Sequence, residues 1–250
     1  MNQLEGKIAI VTGGAQGFGE GIVRLYVAEG ASVVIADLDI ARGQALALEL
    51  GPRAHFFRCD VAQRRDIDAL VEACIGTYGA PDIVVNNAGT THSNRPMLEI
   101  DEATFDFVYA VNVKSIYHMA QAVVPLMKKR RSGVILNVGS TAGIRPRPGL
   151  TWYNGSKGAV NVISKSMAVE LGPDNIRVNA ICPVMGATGL LEKFMGVPDT
   201  PENRARFIAT IPMGRLSTPA DIAGAALYLA SDAAAFISGV EFPVDGARTV

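Results

Sequence analysis

Tyr153 and Lys157 stand four residues apart in Tyr153-Asn154-Gly155-Ser156-Lys157. On a helix, positions i and i+4 share a face. A free phenol loses its proton near pH ~10, too high for a base at neutral pH. An ammonium beside it, helped by the positive ring of an oxidised nicotinamide, would stabilise the phenolate and lower that value. Such a pair is a proton-transfer device suited to hydride chemistry. The same spacing also fits the surface of an amphipathic helix. Ser140 adds weight, because it follows the apolar run Val134 to Val138, where a hydroxyl can hold a substrate oxygen. Asn112 sits among Val108, Val111 and Ile116. By those surroundings alone it reads as an amide that satisfies backbone carbonyls.

The second constellation is Thr12-Gly13-Gly14-Ala15-Gln16-Gly17-Phe18-Gly19. An apolar run precedes it and a helical pattern follows. Glycines let the chain turn tightly and approach a pyrophosphate, and the helix N-terminus then offers free N–H groups and a positive dipole end. The spacing is Gly-x-x-x-Gly-x-Gly, not the commoner Gly-x-Gly-x-x-Gly. Asp37 follows 18 residues after Gly19, at the end of the next apolar run. A carboxylate there accepts from both ribose hydroxyls and repels a 2′-phosphate, which predicts NAD over NADP. Asp39 is the better candidate for capping the helix that starts at Ile40. Asp60-Val61 either flank the adenine or cap a helix. Asn86-Asn87-Ala88-Gly89 is a plain turn or a place where backbone and cofactor meet.

These groups need elements to position them. Buried-strand candidates are Ile8 to Val11, Ser32 to Ala36, Ala54 to Arg58, Ile83 to Val85, Val134 to Val138, Arg177 to Ile181 and Val240 to Val244. Helical patterns lie near 18–29, 40–50, 63–77, 101–130, 154–171 and 219–231. Short apolar runs alternating with helices predict right-handed crossovers: an α/β fold, a doubly wound parallel sheet of about seven strands with helices on both faces. No repeat, linker or composition shift divides residues 1–250, so they read as one dinucleotide-binding and catalytic domain. The irregular stretch is Pro183 to Pro212, where Gly and Pro alternate with Leu190, Leu191, Phe194 and Met195. Those side chains cannot all pack on their own segment. They predict a lid over the substrate or, alternatively, a subunit contact.

Composition narrows the classes. The chain has 250 residues and a net charge of −1, with 23 Lys and Arg against 24 Asp and Glu. That balance gives no electrostatic basis for a nucleic-acid binder. The longest apolar stretch, Ile222 to Ala230, is far short of the ~20 residues a membrane span needs. Three scattered cysteines and no secretory pattern predict a cytoplasmic protein. The histidines lack metal spacing, so no metal is expected. His92 is a minor candidate for the pocket. Arg145 and Arg147 read as part of a solvated loop, an anionic substrate being the other job open to them.

The ordered set resembles the short-chain dehydrogenase/reductase family over nearly the whole chain: Thr12 to Gly19, Asp60, Asn86 to Gly89, Asn112, Ser140, Tyr153 with Lys157, Asn179-Ala180, Pro183 and Thr188. The resemblance implies a Rossmann-fold enzyme that moves a hydride between NAD and a secondary alcohol or ketone, and that assembles as a homotetramer. It implies a catalytic tetrad in which Tyr153 is the acid/base, Ser140 orients the substrate oxygen, Lys157 binds the nicotinamide ribose and lowers the tyrosine pKa, and Asn112 holds a relay water. The cofactor set it implies is Gly13, Gln16, Gly17, Phe18, Gly19, Asp37, Asp60, Val61, Asn87, Ala88, Gly89, Tyr153, Lys157, Pro183, Gly186 and Thr188. Two departures stand out. Val184 occupies a position where the family has glycine, so its backbone must avoid positive φ and the nicotinamide contact would shift. Gly246-Ala247 replaces a terminal Gly-Gly. Competing readings are an NADPH-dependent 3-oxoacyl carrier-protein reductase, which Asp37 and the lack of a basic residue near the ribose oppose, a nucleotide sensor on the same fold, and a methyltransferase.

Overall fold

The structure, a computed structural model, describes residues 2–187 and 189–250. The strands are β1 (Ile8–Thr12), β2 (Ser32–Asp37), β3 (Ala54–Arg58), β4 (Ile83–Asn86), β5 (Gly133–Val138), β6 (Ile176–Pro183) and β7 (Glu241–Val244). They form one sheet in the order β3-β2-β1-β4-β5-β6-β7. Every pairing is parallel. The helices are α1 (Gly17–Ala28), α2 (Ile40–Leu50), α3 (Arg64–Thr77), α4 (Glu102–Tyr109), α5 (Ser115–Arg130), α6 (Thr151–Leu171), α7 (Leu191–Met195), α8 (Pro201–Ile208) and α9 (Pro219–Ala230).

Strand residues alternate between the sheet's two faces, because successive side chains on a pleated strand point opposite ways. Ala9, Val11, Val33, Ile35 and Leu136 bury against Ile22, Tyr26 and Ala226, from α1 and α9. Ile10, Val34, Val84 and Ile135 bury on the other side against Leu70, Met119 and Met127, from α3 and α5. A polar chain crosses this second layer. Asn86 Nδ2 donates to Asn137 Oδ1 (2.8 Å), and Asn137 Nδ2 donates to Ser164 Oγ (2.9 Å). It ties β4, β5 and α6 at the level where the strands end.

Two regions depart from the sequence expectation. The helix expected over 101–130 runs without a break but not uniformly: a wide π turn at Ala110–Lys114 joins α4 to α5. Such turns insert an extra residue into a helix and recur at functional sites. Here it turns Asn112 into the protein, where the residue is buried. The stretch after Pro183 is not irregular throughout, since it folds into α7 and α8. Gly196 ends α7 in a left-handed conformation at φ 70°. Thr200 caps α8, its side chain accepting from the Asn203 amide, with Pro201 in the first turn. That Thr-Pro pair is a helix-start signal readable in the sequence.

Asn137→Ala would leave the buried Asn86 amide without its partner, while Ser164 keeps its bond to the Val160 carbonyl. An orphaned buried group costs about 1–3 kcal/mol, so urea unfolding of this variant should show a loss of at least ~1 kcal/mol.

Candidate active site

Parallel strands leave a crevice outside their carboxyl ends, where the strand order reverses. A cleft of about 570 Å³ lies there. Asp37 from the end of β2, Asp60 after β3, Asn87 after β4, Ser140 after β5 and Pro183 ending β6 all line it. Gly13 and Gly17 adopt φ of 61° and 59°, a region open to glycine. Gly19 is glycine for a different reason: a Cβ there would overlap the Gly13 carbonyl oxygen. Gly19 is buried behind the residues that line the cleft. It brings α1 against the turn. Asn87 Nδ2 then donates to the carbonyls of Thr12 (2.9 Å) and Gly13 (3.0 Å). Thr12 Oγ1 accepts from the Asn87 and Ala88 amides (3.0 and 3.1 Å). The glycine turn and the end of β4 are therefore one unit.

Asp37 is held in place rather than left as a free acceptor. Its Oδ2 accepts from the Ala15 amide and its Oδ1 from the Asp39 amide, both at 3.0 Å. Asp39 caps α2 by accepting from the Arg42 amide, as the sequence suggested. Arg42 also donates to Gln16 Oε1. α2 thus carries Arg42, a basic residue the sequence reading did not single out, back to the rim of the glycine turn. Asp60 Oδ1 accepts from the Ala62 amide at 3.0 Å, closing a small turn beside Val61.

At the other end, Ser140, Tyr153 and Lys157 converge. All three are buried and line the cleft. Tyr153 lies in the first turn of α6 and Lys157 one turn on, because α6 starts at Thr151, a few residues before the expected boundary. Lys157 Nζ donates to the Val138 carbonyl at 2.8 Å, and burial pulls its pKa down to about 8. Burial pushes the Tyr153 phenol up to about 12, against the opposing pull of a Ser140 hydrogen bond and the Arg147 guanidinium. Arg147 is therefore a cation that acts on the phenol, one the sequence reading did not place there.

Asn112 is one layer behind the cleft. Its Oδ1 accepts from the Thr90 amide (2.8 Å), and its Nδ2 donates to the Thr90 carbonyl and to Ser156 Oγ (both 2.9 Å). It pins the loop after Gly89 to α6. Val184 avoids positive φ as its side chain requires. Its amide donates to Val244 O (3.2 Å), and its carbonyl accepts from Ser217 Oγ (3.1 Å). Gly186 packs on the Phe18 ring so closely that a Cβ would overlap it. Thr188 lies outside the described residues. His92 is buried but does not line the cleft, and its Nδ1 contacts the Ser93 carbonyl. Arg147, read from sequence as part of a solvated loop, is half-buried and lines the cleft. Phe107 and Phe207 also line it, and no local spacing signalled them.

Residues 13–248 match the sequence model of a family described as enoyl-(acyl carrier protein) reductase. The chain is 48% identical over 250 residues to 4-formylbenzenesulfonate dehydrogenase of Comamonas testosteroni, covering 99% of each. It is 38% identical to a 3-oxoacyl-(acyl-carrier-protein) reductase of Chlamydia muridarum, covering 98% of this chain and 99% of that one. The fold superposes on a crystal structure of 3-ketoacyl-(acyl-carrier-protein) reductase from Brucella melitensis complexed with NADH, with TM-score 0.94, 42% identity, and coverage of 99% and 100%. The chain belongs to the short-chain dehydrogenase/reductase family. It is an oxidoreductase of the alcohol–carbonyl couple. A nicotinamide cofactor fits the turn built here, since Gly13 leaves space that a Cβ would fill against Ala88. Among the described residues, no group of three or more His, Cys, Asp or Glu is placed to hold a metal, and no helix is long and apolar enough to cross a membrane.

The buried ammonium gives this dehydrogenase a pH signature. Lys157 titrates near 8 when folded and near 10.5 when unfolded. Between those values the unfolded chain binds more protons, so this residue's contribution to stability rises with pH across the window and is lost as pH falls through 8. The buried cysteines, pushed up to about 12, work in the opposite direction. The comparison must therefore be a difference. From pH 7 to pH 10, the stability gap between wild type and Lys157→Met should move in favour of wild type by on the order of 2 kcal/mol, read by urea unfolding under reducing conditions. An unchanged gap would show that Lys157 is not desolvated.

Proposed function

We propose that this protein is an NAD-dependent dehydrogenase that interconverts a small secondary alcohol and its ketone, with Tyr153 as acid/base. The observation that carries this reading is the single cleft shared by the glycine turn, Asp37, Ser140, Tyr153 and Lys157. Bound NAD supplies the hydride acceptor, and its reduced form the donor. Gly13, Gln16, Gly17 and Phe18 face the pyrophosphate at the N-terminus of α1. Asp60 and Val61 flank the adenine, and Asn87, Ala88 and Gly89 lie along the cofactor's path. Pro183 and Gly186, with Thr188, meet the nicotinamide end. Val184 has both backbone groups committed, so the contact falls to its neighbours.

In this reading the Tyr153 phenolate takes the alcohol proton at Oη, and the phenol returns it to the carbonyl oxygen in reduction. Ser140 donates to that oxygen. Lys157 holds the nicotinamide ribose and adds positive charge beside the phenol. Asn112 has one acceptor site left on Oδ1, enough for a relay water. Residues 183–212 close over the substrate, with Phe194 edge-on to Tyr153 at 5.1 Å between ring centroids. We place the enzyme in the cytoplasm, which suits its free, buried cysteines. We also infer a homotetramer, which suits the exposed Tyr117 and Val169. An aryl carbonyl compound, the class named for the relative at 48% identity, is the first substrate to test.

Asp37 favours NAD because each carboxylate oxygen keeps a lone pair for a ribose hydroxyl. Arg42 beside Gln16 is the one observation that favours the NADPH reading. Steady-state kcat/KM should be higher with NADH than with NADPH, and Asp37→Ser should narrow the ratio. A wild-type preference for NADPH would hand the ribose end to Arg42.

The Tyr153 assignment has its own measurement. Tyr153→Phe keeps the ring and removes the transferable proton. Turnover should fall by roughly 100- to 10,000-fold, with NADH affinity by fluorescence titration kept. Near-normal turnover would remove Tyr153 from the chemistry.

A further inference from the structure

The cleft is polarised. The acidic residues that line it, Asp37 and Asp60, belong to the ends of β2 and β3. Arg145, Arg147 and Arg248 line the end near Tyr153. Arg147 feels the phenol of Tyr153 and the like charge of Arg248, and no carboxylate among the described residues pairs with it. Its guanidinium lies over the Phe207 ring, 5.4 Å from the centroid. Stacking removes water from one face and fixes the plane of the donor fork. Arginine cannot shed its proton to escape burial. A partly desolvated guanidinium with no counter-ion is costly, and an arriving anion offsets that cost.

The surroundings say what else that anion carries. Phe194 of α7 packs against Tyr153, and Phe207 of α8 packs against Arg147. Both rings line the same cleft, with Leu190 and Ile211. An apolar wall therefore joins the reacting phenol to the cation. The cofactor does not claim this cation. Its phosphates belong with the glycine turn and α1, at the other side of the cleft.

We propose that Arg147 is a specificity-determining residue for a substrate bearing an oxyanion, carboxylate or sulfonate, at the end remote from the reacting carbon, with an apolar body between. This rests on Tyr153 marking the reacting end. The bidentate fork binds the oxyanion, Phe207 holds the fork, and Phe194 and Ile211 cover the body. The same pairing sets the substrate's orientation, because reversal would bury its charge against Phe194.

The test uses three ketones on the NADH-saturated enzyme: para-acetylbenzoate, para-acetylbenzenesulfonate and the neutral para-methylacetophenone. Binding is read by calorimetry and hydride transfer by NADH absorbance. Hydrogen bonds to a charged group contribute about 1.5–3 kcal/mol, so at least one anion should bind roughly 10- to 100-fold tighter than the neutral ketone. The tighter of the two names the oxyanion. Arg147→Gln should bring the anion-to-neutral ratio near one. Arg147→Lys, which keeps charge and loses the fork, should retain part of it and guards against a misfolded glutamine variant. A wild-type ratio near one overturns the proposal, and so does an equal loss for all three ketones in Arg147→Gln. Anion-selective binding without reduction of any ketone supports the Arg147 assignment and counts against the reaction proposed above.

Discussion

The close approach of Gly19 to the Gly13 carbonyl is the constraint on which the site depends. Any side chain at Gly19 would overlap that oxygen and the Asn87 amide. Only with the Cβ absent can α1 start directly behind the turn, with its N–H groups facing the cleft. Asn87 uses the proximity to bridge two carbonyls of the turn, and Thr12 returns the favour to two amides after β4. Asp37 clamps the turn from the other side through the Ala15 amide. Three strand ends are thereby locked to one another at the point where the sheet reverses direction. A cofactor binding there meets a surface already in place, which lowers the ordering cost of binding.

The chemistry then sits in a region made dry by packing. Dryness pushes Tyr153 up and Lys157 down, each toward its neutral form. A phenol near 12 is a poor base by itself. The groups that oppose burial are the Ser140 hydroxyl and the Arg147 guanidinium, and the positive nicotinamide ring adds to them during alcohol oxidation. The protein on its own thus stabilises the neutral site, and the further positive charge that favours the phenolate arrives with the oxidised cofactor. This couples proton transfer to a loaded cleft.

The segment after β6 joins the two halves. Gly186 receives the Phe18 ring from α1, so the start of this segment is tied to the helix behind the glycine turn. Leu191 and Met195 bury against Val184, Ile211 and Leu216, so much of this stretch packs on its own segment, contrary to the expectation from sequence, and Phe207 packs against the same cluster. Phe194 faces Tyr153, and the Phe207 ring also lies under the Arg147 guanidinium. The apolar residues of this stretch serve two purposes, an anchor and a wall.

What the sequence determined by itself is what local rules write. Short continuous apolar runs separated by helical patterns specify a parallel α/β sheet, because only central strands buried on both faces tolerate such runs. Glycines before a helix specify the turn. Tyr153 and Lys157 specify a shared face through helix periodicity alone. The tertiary structure decided what depends on residues far apart in the chain. Gly19 must be glycine because the space beside it belongs to Gly13 and Asn87, some seventy residues away in sequence for the latter. The π turn at Asn112 follows from partners at Thr90 and Ser156, which no window around residue 112 contains. Arg147 became part of the cleft because α8 folds back to place Phe207 beneath it. Arg42 reached Gln16 for the same kind of reason, the return of α2 across β2. Side-chain direction and desolvation are properties of the packed whole, so the charge pattern of the site was legible only once the packing was known.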